Sequence, residues 1–89
     1  MAGDRAVVRE VLGIFLEQAE SWSPDLDPAS ANWRDVVHTI KGSARGIGAT
    51  VLGDDCARAE AEGPGALAQV RTALETAIAE IRAYLSGPS

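Results

Sequence analysis

The chain predicts an all-α fold, an antiparallel up-down four-helix bundle, and three observations carry that prediction. Its 89 residues are 46% apolar but only 4% aromatic, so the core must be built from Ala, Val, Leu and Ile. That mix suits close helix packing better than a sheet. Apolar residues also recur at spacings of three and four in separate stretches, and no run alternates with period two over a useful length. The length fits one compact domain spanning residues 1–89, and no internal repeat, low-complexity segment or linker divides it.

The first helix is expected over about 4–21. Val8, Val11, Leu12, Phe15 and Ala19 form its apolar stripe, and Asp4 is placed to cap it. Ser23-Pro24-Asp25-Leu26-Asp27-Pro28 breaks it, because prolines and aspartates favour turns. The second helix covers about 31–47, with Trp33, Val36, Val37, Ile40, Ala44 and Ile47 inward and Gly46 and Gly48 as the stop. The third covers about 49–61, with Leu52, Cys56 and Ala59 inward. Glu62-Gly63-Pro64-Gly65 is a tight connection to the fourth, about 66–85. There Leu67, Val70, Leu74, Ala77, Ile78, Ile81 and Leu85 repeat over several turns, and Gly87-Pro88-Ser89 is a tail. Short loops between the last three helices favour antiparallel neighbours.

Bulk properties exclude several classes. The net charge of −5 argues against nucleic acid, whose binders are usually basic. No run of about 18 apolar residues is present to span a membrane. Met1-Ala2-Gly3-Asp4 opens no basic-then-apolar leader, so the cytoplasm is the expected compartment. The single cysteine, Cys56, has no disulfide partner and reads as a small buried hydrophobe. The simplest state for a short acidic bundle is a monomer.

His38 is the only histidine in the chain, and imidazole is the side chain here that is both neutral and nucleophilic near pH 7. On a helical wheel it lies about 140° from Trp33, off the buried side, with Arg34, Lys41 and Arg45 on the same exposed arc. Arg34, Lys41 and Arg45 against Asp35 give segment 32–48 a charge of +2, so the rest of the chain carries −7. A basic island on an acidic protein suits an anion, and phosphate is the leading candidate. His38 would attack a phosphoryl group, Lys41 would reach its oxygens, and Arg45 and Arg34 would hold those oxygens or meet acidic groups on a partner. Gly42, one turn beyond His38, removes a side chain that would crowd the ring. Glycine inside a helix costs about 0.8–1 kcal/mol relative to alanine, so its presence asks for a reason. Each signal alone has a bland reading: a solvated histidine, a solvated lysine, a glycine that admits a neighbouring helix, a Ser43 hydroxyl bonded to its own backbone. Their convergence on one arc favours function.

His38-Thr39-Ile40-Lys41-Gly42-Ser43, with Gly48 downstream, resembles the H-x-x-K-G-S-x-x-x-x-G signature of histidine-containing phosphotransfer (HPt) domains. Leu52, Cys56 and Ala59-Glu60 are similar to the family's L-x-x-x-C-x-x-L-E pattern, with Ala59 where a larger Leu is usual. The stretch between Phe15 and His38 is shorter than in many relatives. The resemblance implies an up-down four-helix bundle with His38 as the phosphoryl-accepting residue, Lys41 supporting the phosphate, and Gly42 leaving room for it and for an incoming receiver domain. It further implies a phosphocarrier without enzymatic activity of its own, passing a phosphoryl group between the aspartates of receiver domains of response regulators or from a hybrid histidine kinase.

No carboxylates cluster with His38 along the sequence and no two-histidine spacing exists, so neither a metal site nor a cofactor is expected. Mg²⁺ is expected on the partner receiver. No glycine-rich nucleotide-binding loop is present for a kinase. The rival reading is a helical module that docks a receiver or kinase as a decoy or inhibitor without being phosphorylated. A structural adaptor with an incidental His38 is a further alternative.

Overall fold

The computed structural model describes residues 2–87, with side chains from residue 5 onward. Four helices follow one another: α1 (Ala2–Trp22), α2 (Trp33–Ile47), α3 (Thr50–Glu62) and α4 (Leu67–Ser86). A single 3-10 turn follows α1 at Ser23–Asp25 and another precedes α4 at Pro64–Ala66. No strand occurs among the described residues. Each helix packs on its neighbour in sequence, and α4 closes back on α1, which gives the antiparallel up-down bundle.

The joints are set by residues with little freedom of choice. Gly48 ends α2 with φ at +80°, a left-handed conformation natural to glycine, and its N–H meets the carbonyls of Ala44 and Arg45. Gly63 ends α3 with φ at +102°, and Pro64 starts the next turn. Arg71 on α4 donates to the carbonyl of the buried Leu26, fixing the link between α1 and α2 to the bundle.

The core draws on all four helices. Phe15, Ala19, Val37, Ile40, Ala44, Leu52, Cys56, Ala59, Leu67, Val70 and Leu74 are almost wholly shielded from water. Phe15 and Trp22 add an edge-to-face aromatic contact with ring centroids 5.4 Å apart. Ala59 is fully buried despite its small side chain. Burial of Cys56, aided by the charge of Glu60, pushes its thiol up to about 12, so it stays a neutral core residue.

Two expectations for α1 need correction. The helix starts at Ala2, so Asp4 lies within its first turn and does not cap it. Val8 and Val11 are 46% and 44% exposed, although they continue the apolar stripe. For Val8 the reason is length, whereas Val11 lies beside the end of α2 on the open rim of a groove between the two helices. At about 1.5 Å per residue α1 and α4 run about 30 Å, against about 20 Å for α2 and α3. The opening turns of α1 therefore extend past the end of α2. They run beside the end of α4, where Arg9 donates to the Leu85 carbonyl at 2.7 Å. Of the expected tail, Pro88 and Ser89 lie outside the described residues.

Candidate functional site

His38 stands in the middle of α2 with 72% of its side chain exposed. Its helix turns Val37, Ile40 and Ala44 into the core, and this fixes the histidine on the flank that borders α3. The ring's partner comes from across that seam. Glu60, in the last turn of α3, places Oε2 3.0 Å from His38 Nδ1. Its other oxygen, Oε1, forms an ion pair with Lys41 Nζ and is otherwise shut off from hydrogen-bonding partners. One carboxylate thus holds both the imidazole and the ammonium. The hydrogen bond from Lys41, then that from His38, draws the Glu60 carboxyl below its ordinary range.

A carboxylate only accepts hydrogen bonds. Beside Glu60 the neutral ring of His38 therefore carries its proton on Nδ1 and leaves the Nε2 lone pair free. The sequence alone had surrounded His38 with cations. The structure places an anion nearest the ring instead, and the cations line the same seam. Arg34 Nη1 donates to the backbone carbonyl of Glu60 at 3.1 Å. Its guanidinium also lies over the Trp33 ring, 4.6 Å from the centroid. Arg45 is exposed, and its stem crosses Gly53 of α3, where a β-carbon would meet Cγ at 3.4 Å.

Gly42 is exposed, and a β-carbon built on it would meet nothing within 4 Å. No neighbouring helix requires its bareness, so the bland reading as a close-packing glycine is removed. Ser43, Gly46 and Ile47 line a shallow groove against Val11, Ile14, Phe15 and Gln18 of α1. The local side-chain bond to the helix backbone comes from Thr39, whose hydroxyl donates to the Asp35 carbonyl at 3.0 Å.

The structure thus brings together His38, Lys41 and Arg34 with Glu60 between them, leaves Gly42 open beside the ring, and sets Arg45 further along the seam. Glu60 is the residue that the sequence reading passed over. It was visible as the closing position of the Leu52–Glu60 pattern, but its register against α2, 22 residues away, is a property of the packed helices. Among the described residues no group of three or more His, Cys, Asp or Glu could hold a metal ion, and no helix is long and apolar enough to cross a membrane.

Comparison with known proteins bears on the family and the fold. The family model of the Hpt domain matches residues 9–84. The chain is similar to the crystal structure of the histidine phosphotransferase ShpA from Caulobacter crescentus, with 55% sequence identity and a TM-score of 0.84, over 93% of this chain and 79% of that one. No curated protein matches the chain.

Proposed function

Because the chain belongs to the Hpt domain family, we propose that it is a phosphorelay intermediate in which His38 accepts a phosphoryl group from a receiver-domain aspartate or a kinase and passes it to the aspartate of a response-regulator receiver. The observation that carries this reading is the bond between His38 Nδ1 and Glu60 on a ring otherwise open to water.

In the forward step the Nε2 lone pair attacks phosphorus in line with the aspartyl oxygen. The nitrogen–phosphorus bond forms as the oxygen–phosphorus bond breaks, and the aspartate leaves as a carboxylate with the bonding pair. The ring keeps its Nδ1 proton and becomes a cation, which the Glu60 carboxylate steadies. No proton has to move, so the step reverses readily toward a second receiver. Lys41 has three donors and uses one on Glu60, leaving others for the phosphoryl oxygens. Gly42 keeps the approach clear, the groove between α1 and α2 offers the receiver an apolar floor, and Arg45 faces its acidic groups. Mg²⁺ belongs to the receiver, and the domain carries no cofactor. A monomer in the cytoplasm, acting as a carrier with no turnover of its own, completes the proposal.

The test is transfer of labelled phosphate from a phosphorylated receiver domain to this protein and to His38→Gln. Acid-labile label on the wild type alone is the expected result. Binding without label would replace the relay with a docking module, and neither binding nor label would leave an adaptor.

A further inference from the structure

We infer that Arg34 is a positioning residue, which acts on His38 through the backbone of Glu60 and not on the phosphoryl group itself; the inference rests on the phosphorelay reading above. It starts from the end of α3. The last carbonyls of a helix have no partner within it. The Ala59 carbonyl finds the N–H of Gly63 at 2.9 Å. The Glu60 carbonyl would next look to residue 64, but Pro64 has no N–H to give. Arg34 supplies the missing donor from the neighbouring helix, at 3.1 Å.

The guanidinium is steadied from its other side. It rests on Trp33, which is itself half-buried against the core. Arg34 lies one turn before His38 on α2, so α2 grips residue 60 at three points. Arg34 takes its carbonyl, His38 takes Oε2 and Lys41 takes Oε1. Two of these contacts are the groups that the proposed chemistry uses. The third fixes the peptide from which the carboxylate hangs. A final turn of helix is where fraying begins, and a carboxylate on a frayed turn no longer keeps the proton on Nδ1. The ring then divides between its two tautomers, and part of the population presents an N–H where the lone pair is needed.

The chain has a single histidine, so nitrogen NMR of the imidazole reports the tautomer without ambiguity. The experiment measures the ratio of Nδ1–H to Nε2–H forms in the free protein with the ring neutral, together with the rate of phosphoryl acceptance from a labelled receiver. It compares wild type, Arg34→Met, which keeps an aliphatic stem without donors, and Arg34→Lys, which keeps charge and a donor. Arg34→Met is expected to lower the tautomer ratio and the acceptance rate together, each by about threefold to tenfold, the worth of one hydrogen bond. Its helical circular dichroism should be unchanged, and Arg34→Lys should recover part of both losses. Slower acceptance with an unaltered tautomer ratio would mean that Arg34 meets the phosphate or the receiver directly, and would overturn the inference. So would a variant in which neither quantity moves. Should Arg34→Met not fold, an intermediate tautomer ratio in Arg34→Lys supports the inference and a wild-type ratio overturns it. Failure of the relay reading is seen separately, as a wild type that takes no label at His38 at all.

Discussion

Around His38 the core is shared by four helices, whereas the first turns of α1, ahead of Val11, are an overhang beside the end of α4. The two regions have similar apolar periodicity and different fates. Val37 and Ile40 are completely buried, while Val7 and Val8 are 57% and 46% exposed. Periodicity reports which side of a helix is apolar. Burial also requires a neighbour long enough to lie against it, and here α2 stops at Ile47. The polar groups show the same contrast. At the four-helix level Glu60 is brought to His38 and Lys41 from another helix, while on the overhang the tie across helices is Arg9 on the Leu85 carbonyl.

That contrast can be broken by substitution, and the largest effect belongs to the four-helix core. Ile40→Ala should lower the unfolding free energy by about 2–5 kcal/mol, measured by denaturant titration, because it leaves a hole in the fully buried core. Next, Lys41→Ala should slow phosphoryl transfer by at least about tenfold while its helical circular dichroism remains that of a folded bundle, because its ammonium serves the charge of the transferring group. Gly42→Leu should move the two readouts in opposite directions. It gains about 0.5–1 kcal/mol of stability from helix propensity, since no atom within 4 Å resists a side chain there, and it loses transfer to a receiver. Normal transfer by Gly42→Leu would remove the clearance argument.

The charged seam adds a pH dependence. The folded-state value of Glu60 is lowered, first by Lys41 and then by His38. Its contribution to stability is therefore complete above the ordinary carboxylate range and disappears as pH falls through the lower folded value. Wild type should lose stability relative to Glu60→Gln over that acidic interval, with the gap between their melting temperatures narrowing as pH falls; a constant gap would deny the coupling. The smallest effect belongs to the overhang. Val7→Ala should change the unfolding free energy by no more than about 0.5 kcal/mol. A larger loss would mean that the overhang is covered in solution.

Much of the fold was legible. The stripes of α2, α3 and α4 named their buried residues, and Gly48 marked the end of α2, because both signals are local in the chain. The overhang was not legible, since the relative lengths of packed helices decide it. His38, Lys41 and Gly42 could be grouped because they share one helix and its pitch. Glu60 could not, because its position beside them depends on how α3 sits against α2. The same packing turned Arg34 and Lys41 from free cations on an exposed arc into partners of one residue.

The openness of the His38 ring has a consequence for timing. An imidazole with 72% of its side chain in solvent has no wall behind which a phosphoryl group can shelter from water. On the proposed reading the domain keeps no clock of its own. The message survives only while a phosphoramidate open to water, steadied by Glu60 and Lys41 alone, resists hydrolysis, and the abundance and nearness of the next receiver decide whether it is delivered or lost.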